Sequence, residues 1–524
     1  MTGNYILAID LGTGGPKVGV VDSAGRVIAS ANETTTTNFL PGGGVEQDPH
    51  EWWQAVCQAA RRAVRLSGIP AEAIQAVSCT TQWSVVVPVD SHGEPLMNAV
   101  HWLDTRGAPY NQAITRGFPS VEGYALGKLV QWVRRTGFPP THSGIDSLGH
   151  VLFIQHELPE IYRKTDKFLE PMDYLTLRLT GRCAGSLCTV FPFLLTDIRH
   201  PERLSYDPWL VKACGVDPKK MPELLPVDGV VGPVLPSVAD ELGISRQALV
   251  LVPANDNHTA AIGSGAVADY DSVLVLGNSG YLAGHVPFKK TDIMHALTTI
   301  PCPLPGKYLI MAELGNTGKV LESFLYNLVY PQDGFSLDDL PEDVFARLDD
   351  AVGGVPAGSG GVLFLPWFNG SISPSMDHLA RGGFLNLSHQ TRREHLSRAV
   401  LEGIAFNWRW LVEAVQPFVG RKFTHLRLAG GGAQSDAWAQ IITDVLGIPI
   451  HQLAGPRLTN VRGAAFLAMD RLGWLPVQDS PERVEISRVF EPDPGQREVY
   501  NKLYQQFRAS FKTLKPLFHA LNHT

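Results

Sequence analysis

The sequence predicts an α/β protein built from two related domains. Apolar strands alternate with amphipathic helices along the chain, which is the pattern of α/β folds. A strand, a glycine-rich turn and a second strand occur at residues 6–22 and again at residues 272–286. One such hairpin in each half indicates two similar domains that face one ligand. The 524 residues also exceed what a single core holds and fit two domains of roughly 200–250 residues each.

Composition excludes several classes of protein. Hydrophobic residues make up 44% and charged residues 18% of the chain, as in ordinary globular proteins. A net charge of −7 argues against nucleic acid as a partner. The chain has neither an apolar run long enough to span a membrane nor a secretion signal near its start. Its six cysteines are scattered, so we expect reduced thiols in a cytoplasmic protein, without a zinc site or disulfide.

The first hairpin predicts a site for an anion. Its turn contains Gly12 and Thr13 and leads to Lys17. Glycine lets backbone N–H groups approach a phosphate closely. Asp10 lies beside that position, and a carboxylate next to a phosphate favours Mg²⁺ between them. The alternatives are a hairpin with a merely polar tip and a lysine that belongs only to the hairpin.

The segments that follow predict an alternating domain. A helix begins after Asp48, with Pro49 at its first position and an apolar face that includes Trp53. Strands are expected at 76–79 and 85–89, mostly helical structure over 104–192, and a last strand at 249–252. We place the domain junction near 263–269.

Asp256 is the first candidate for a catalytic residue. It follows the strand at 249–252, where a helix begins, and such strand ends line ligand crevices in open α/β sheets. It would act as a general base for an attacking hydroxyl group. A helix N-cap is the alternative role. We expect His258, two residues later, to face solvent rather than to tune Asp256.

In the second half, the turn of the second hairpin holds Gly277, Asn278 and Ser279. With the first hairpin it could clamp a nucleoside triphosphate, although the chain has no Walker motif. Further on we expect a strand at 362–366, a helix over 392–415, a strand at 425–429, a helix over 460–472 and a terminal outer helix.

A strand, three glycines and a capped helix at 426–446 predict a nucleotide site. Gly430, Gly431 and Gly432 would let a flat purine lie against the backbone. Ser435 is the expected N-cap of the following helix, and Gly447 ends it. A tight strand–helix turn is the alternative, but it needs fewer glycines.

Together these segments resemble the FGGY carbohydrate kinases, and among them the xylulokinases most, from Ile6 to about Leu472. The motifs that carry the resemblance are D-x-G-T at 10–13 with Lys17, E-Q-D-P at 46–49 with Trp52 and Trp53, W-x-D-x-R at 102–106, the family's catalytic aspartate at 256, G-N-S-G at 277–280, L-F-L-P at 363–366, A-R-G at 380–382 and G-G-G-A-x-S at 430–435.

The resemblance implies two ribonuclease-H-like (actin-like ATPase) domains around a central cleft, at residues 1–265 and 266–485, with a helical tail at 486–524. It implies ATP and Mg²⁺ as cofactors, a small sugar as substrate and a homodimer. The implied site residues are Asp256 as catalytic base, Asp10 toward the metal, Gln82, Trp83, Asp104 and Asn257 toward sugar, and Gly12, Thr13, Lys17, Gly277, Asn278, Ser279, Gly315, Gly430, Gly431, Gly432, Ala433 and Ser435 toward ATP.

The positions at which the chain departs from the family pattern bear on which sugar it binds. Where many xylulokinases carry Met and His, this chain has Trp83 and Ser84; Trp83 would stack on a sugar or fill the cleft. The L-F-L-P loop also lacks its usual charged pair, and 460–465 lacks the family's glutamate. The resemblance predicts a sugar kinase acting on a ketose such as D-xylulose, and these departures favour the alternative of another polyol or sugar. A non-catalytic nucleotide-dependent regulator is a further alternative, against which Asp10 and Asp256 argue.

Overall fold

The computed structural model describes residues 3–333 and 339–522. The strands of the first half are β1 (Tyr5–Gly12), β2 (Gly15–Asp22), β3 (Val27–Asn32), β4 (Asn38–Leu40), β5 (Gly44–Gln47), β6 (Ile74–Thr81), β7 (Val87–Val89), β8 (Ala99–Val100), β9 (Ser120–Val121), β10 (Tyr124–Ala125), β11 (Lys167–Leu169), β12 (Ala184–Ser186), β13 (Glu223–Leu225), β14 (Val230–Pro233), β15 (Leu249–Leu251) and β16 (Ala254–Asn255). Its helices are α1 (Pro49–Ser67), α2 (Ala108–Thr115), α3 (Leu126–Thr136), α4 (Ser147–Glu157), α5 (Pro159–Lys164), α6 (Pro171–Thr180), α7 (Leu187–Val190), α8 (Pro208–Cys214), α9 (Pro236–Leu242) and α10 (Asp256–Gly263).

The strands of the second half are β17 (Ser272–Leu276), β18 (Ser279–Val286), β19 (Thr291–Asp292), β20 (Leu297–Pro301), β21 (Tyr308–Asn316), β22 (Leu363–Leu365), β23 (Gly383–Leu385), β24 (Leu426–Ala429), β25 (Ile450–Leu453) and β26 (Ile486–Phe490). Its helices are α11 (Gly318–Phe324), α12 (Val344–Gly353), α13 (Arg393–Val419), α14 (Asp436–Leu446), α15 (Thr459–Arg471) and α16 (Arg497–Asn522).

Two large sheets organise these elements. The first runs in the order β14-β15-β6-β1-β2-β3, with β16 also on β6, and the second in the order β19-β20-β21-β18-β17-β24-β25-β26. In the first sheet β1 pairs antiparallel with β2 and parallel with β6. In the second, β17 pairs antiparallel with β18 and parallel with β24. The shared pattern confirms two related α/β units, each opened by its own hairpin.

Several helices begin and end where their capping residues predict. Asp48 caps α1 by accepting from His50 N, and Pro49 is the first helical residue. Ser435 caps α14, which ends at the left-handed Gly447. The helix predicted over 392–415 continues to Val419, because Pro417 is accommodated before the left-handed Gly420.

The segment 486–524, predicted as a helical tail, begins with a strand. Ile486–Phe490 pairs antiparallel with β25 and forms the last strand of the second sheet. Arg497–Asn522 forms α16, which buries Tyr500, Tyr504 and Phe507 against the second core. The short strand was missed because it lies just before a much stronger helical pattern.

Helices α10 and α15 connect the two sheets. Although α15 comes from the second half of the sequence, it packs on α10 and on β1 and β6 of the first sheet. The helices approach most closely at two glycines. A Cβ on Gly263 would lie 1.9 Å from Thr459 O, and a Cβ on Gly463 would lie 1.9 Å from Thr259 O. Only glycine permits backbones at this separation.

A second connection joins the halves away from this helix pair. Side chains of the second half donate to main-chain carbonyls of the first: Lys289 Nζ to Val133 O at 3.0 Å, Thr291 Oγ1 to Gly137 O at 2.7 Å and Tyr308 OH to Ile198 O at 3.0 Å. These bonds join the two halves at a second place in the fold.

None of the helices in residues 3–333 and 339–522 combines the length and apolar character needed to cross a bilayer. All six cysteines carry unbonded thiols, and most of them are buried. The prediction of reduced thiols is therefore confirmed.

Candidate active site

Asp10 lies at the base of the first hairpin, directly across from Lys17 in the β1–β2 register. Lys17 Nζ is 3.2 Å from Asp10 Oδ2, whereas Asp10 Oδ1 is buried without a hydrogen-bond partner. The pairing neutralises one side of a carboxylate that is only 2% exposed. The other oxygen remains available to bind a cation or its water.

Thr13, at the tip of this hairpin, is fixed by side chains from other segments of the first half. Its hydroxyl donates to Gln82 Oε1 at 2.8 Å and accepts from Trp102 Nε1 at 3.2 Å. Gln47 Nε2 donates to Thr13 O, and Gln47 Oε1 accepts from Gln82 Nε2 at 2.7 Å and from Trp52 Nε1. We call Thr13, Gln47, Gln82 and these two tryptophans the hairpin network. It joins the hairpin tip to Gln82, which the sequence predicts to contact sugar.

The side chains predicted to contact sugar differ in exposure and in whether they already have partners within the protein. Asp104 is fully buried and already binds Arg106 and Val45 N, at 2.7 and 2.8 Å. Its carboxylate therefore fixes the neighbouring loop. Trp83 is partly exposed, and its ring packs 5.0 Å from that of Phe191. Asn257 is buried, directly after Asp256 at the start of α10.

Asp256 occupies the first position of α10. The helix cap is Asn255, whose Oδ1 accepts from His258 N at 3.2 Å, so capping is not the role of Asp256. Its Oδ1 is buried without a hydrogen-bond partner. Burial, followed by the negative charges of Asp10 and Glu313, raises the pKa of Asp256 to about 8.

His258 does not face solvent as expected. It is fully buried, and its Nε2 lies 2.6 Å from Pro301 O. Burial lowers the pKa of this imidazole to about 3, so the ring is neutral. The helix start looked exposed in the sequence because the covering strand, β20, comes from the second half of the chain.

Two residues that lie near Asp256 in the structure are not predicted from the sequence. Glu313 of β21 and Tyr281 of β18 are paired in register, and burial raises the pKa of Glu313 to about 7. The pKa of the Tyr281 phenol is raised by burial and by the charges of Asp256, Asp10 and Glu313. The three carboxylates therefore act electrostatically on Tyr281, although they come from β1, α10 and β21. No local motif marks Glu313, since it stands in an ordinary strand.

The second hairpin is anchored through its carbonyl groups. Gly277 O accepts from Gly318 N at 2.9 Å and Thr317 Oγ1 at 3.0 Å, and Asn278 O accepts from Thr317 N. Ser279 opens β18. Gly315 lies at the adjoining end of β21 with a φ of +79°. The turn is thus fixed to the start of α11.

The predicted nucleotide loop lies against the same strand end. A Cβ on Gly430 would lie 2.6 Å from Leu276 O, and one on Gly432 would meet the Leu276 side chain, whereas Gly431 faces open space. Ala433 is buried. The Ser435 hydroxyl accepts from Trp438 N and lies 2.6 Å from Asp349 Oδ1, so it is committed to the helix cap. Gly430 and Gly432 are therefore required by close packing, whereas Gly431 leaves an open surface.

The residues fit a Mg²⁺ ion that arrives with a nucleotide. The described residues contain no group of three or more His, Cys, Asp or Glu side chains placed to hold a metal ion. Mg²⁺ typically binds one or two carboxylates, water and the substrate's phosphates. The unpartnered Oδ1 of Asp10 beside the first hairpin meets that requirement.

Comparison with known families agrees with this geometry. Residues 5–263 match the model of the N-terminal domain of the FGGY family of carbohydrate kinases, and residues 291–470 match that of the C-terminal domain. The chain belongs to the FGGY family of carbohydrate kinases. As an FGGY kinase it is a sugar phosphotransferase with ATP as co-substrate.

Individual relatives of this FGGY kinase match it over nearly their whole length. A xylulose kinase of Staphylococcus epidermidis is 28% identical over 522 residues, covering 99% of this chain and 98% of the relative. The crystal structure of xylulose kinase from Rhodospirillum rubrum has a TM-score of 0.82 at 26% identity, over 98% of this chain and all of that one. A gluconate kinase from Lactobacillus acidophilus shares the fold, with a TM-score of 0.85, 23% identity and coverage of 99% and 100%.

Proposed function

We propose that this FGGY kinase transfers the γ-phosphoryl group of MgATP to a hydroxyl group of a ketose, with D-xylulose as the first candidate. The main support is that Asp10 and Asp256 each hold a buried carboxylate oxygen without a hydrogen-bond partner and interact with each other and with Tyr281. The relatives named xylulose kinase favour that sugar. A homodimer, a cytoplasmic location and domain limits at 265 and 485 belong to the same proposal.

In this mechanism Asp256 accepts the proton of the sugar hydroxyl as its oxygen attacks the γ-phosphorus. The bond from that phosphorus to the β–γ bridging oxygen breaks, and ADP leaves. Lys17 and the hairpin amides stabilise the charge on the transferred group. Mg²⁺, held by Asp10 through water, would neutralise phosphate charge. The nucleotide would lie between Gly277 and Gly431.

Another sugar or polyol is the second candidate, and a specific observation favours it. The Ser84 hydroxyl donates to Ile145 O at 2.8 Å and the Trp83 ring packs on Phe191. The Ser84 hydroxyl is therefore committed to the backbone, and a tryptophan packed on Phe191 stands where the family pattern has a residue that contacts sugar.

The test is ADP release from MgATP across a panel of ketoses, aldoses and polyols. One strong responder should emerge, and Asp256→Ala should lower its kcat by about 10³-fold or more, since the proton acceptor is gone. ATP affinity should change little. The matched control is Asp166→Ala, at an exposed aspartate, which should retain wild-type turnover. Near-normal kcat in Asp256→Ala would refute the role of this base.

A further inference from the structure

The side chains of β21 alternate between two environments. Ile310 and Ala312 pack into the core of the second sheet. Leu309 and Met311 face the apolar cluster between the two sheets. Because side chains along a strand alternate in direction, Glu313 continues the row of Leu309 and Met311. It stands where that cluster gives way to the cleft.

Glu313 is a carboxylate without a protein partner in this position. Among residues 3–333 and 339–522, its side chain has no hydrogen-bond or ion-pair partner, although it is partly buried. Its backbone is fixed, because it pairs with Tyr281 and its carbonyl accepts from Ser373 N at 3.0 Å. A half-buried polar group that is rigidly placed and unpaired is typical of a group awaiting a ligand.

The charge around Glu313 limits what that ligand can be. Asp256 and Asp10 are close enough to interact with it or with its neighbour Tyr281, and Lys17 is the nearby cation, already paired with Asp10. An ionised carboxylate only accepts hydrogen bonds. A ligand with hydroxyl donors satisfies it, whereas a ligand carboxylate would meet like charge in a site of low dielectric.

We propose that Glu313 binds hydroxyl groups of the sugar substrate and restricts this kinase to uncharged sugars and polyols, excluding sugar acids. The inference rests on the proposed phosphoryl transfer at Asp256. It adds a binding residue from the second half of the chain to a sugar site otherwise made by the first half. Sugar is thereby held by both sheets, so its binding favours closure of the cleft.

The experiment compares wild type with Glu313→Gln, which keeps the size of the side chain and removes its charge. For the neutral sugar that the panel selects, the variant should raise KM at least tenfold, with KM for MgATP and the Mg²⁺ dependence unchanged. D-gluconate should stabilise wild type negligibly in thermal-shift assays, and should bind Glu313→Gln at least tenfold more tightly. Glu313→Asp should restore discrimination against D-gluconate. Glu160→Gln, at an exposed helical position, is the control.

The possible results separate this inference from the proposed function. A wild type that binds or phosphorylates D-gluconate as well as a neutral sugar overturns it. An unchanged sugar KM in a folded Glu313→Gln also overturns it, as does a change confined to Mg²⁺ dependence, which would make Glu313 part of the metal site. If wild type turns over no sugar, the phosphoryl-transfer proposal fails, and thermal shifts with D-xylulose and D-gluconate still decide the selectivity.

Discussion

At the scale of single residues, the cleft holds carboxylates in an environment that disfavours their charge. Asp256 is the clearest case, since burial and neighbouring Asp10 and Glu313 all raise its pKa. In the proposed mechanism, cations that enter with the nucleotide would lower the pKa of Asp256 and ionise it. Proton acceptance would then depend on nucleotide binding.

This arrangement predicts a pH-dependent gain in stability for Asp256→Asn. The pKa of Asp256 is raised in the folded state, so the wild type loses stability as pH rises from about 4 to about 8. The Asp256→Asn variant has no ionisable group at this position, so it does not lose stability in this way. Its advantage in free energy of unfolding should therefore grow by at least about 1 kcal/mol between pH 5 and pH 8, with about 4 kcal/mol as the upper bound. Chemical denaturation at the two pH values measures it.

The control for that measurement is Asp166→Asn, at an exposed position. Its difference from wild type should stay constant with pH. An Asp256→Asn advantage that is equally constant would mean that the carboxylate is not perturbed by burial in the folded protein.

At the scale of elements, the first hairpin depends on the hairpin network. Gln47→Leu would leave Gln82 Nε2 and Trp52 Nε1 without their acceptor in the core. Each unsatisfied donor costs about 1–3 kcal/mol, so we expect a loss of about 2–4 kcal/mol. Because the tip at Thr13 also loses its donor, kcat/KM for MgATP should fall as well.

Denaturation curves and initial rates check this result. Gln390→Leu, at an exposed loop residue, is the matched control and should leave both quantities near wild type. If Gln47→Leu behaved like this control, the network would not hold the hairpin.

How far the sequence predicts these elements depends on how local their causes are. The hairpins, the cap at Ser435 and the strand end before Asp256 follow from turn residues, capping residues and apolar runs within a few positions. Glu313 and the burial of His258 could not be read in this way. The burial of His258 arises from a contact between the two halves, with Pro301 O. The placement of Glu313 arises from its pairing with Tyr281, on a strand about thirty residues away in the sequence. Strand β26 was hidden by the stronger signal of α16.

At the scale of the whole molecule, the crossing of α10 and α15 is a close backbone contact between the two halves. The helices touch at Gly263 and Gly463 with almost no side chain between them. Contact at this separation leaves no room for an added side-chain atom.

Gly463→Ala should therefore damage the whole protein. The added methyl would lie 1.9 Å from Thr259 O, so the helices must separate. We expect a loss of about 3 kcal/mol or more in stability, in the range of severe core overpacking. Thermal and chemical unfolding measure it, and small-angle scattering should show a wider molecule.

Gly127→Ala, in α3 with open space around its Cβ position, is the matched control. It should be neutral or stabilise by up to about 1 kcal/mol, since alanine favours the helix. A Gly463→Ala protein as stable as this control would show that the crossing tolerates a wider separation.

The second junction between the halves has a consequence for how this protein changes over evolutionary time. Lys289, Thr291 and Tyr308 all donate to main-chain carbonyls, at Val133, Gly137 and Ile198. A carbonyl persists whichever side chain its residue carries. Mutations on the accepting side therefore accumulate without compensating changes on the donating side, and covariation between homologues would overlook this contact.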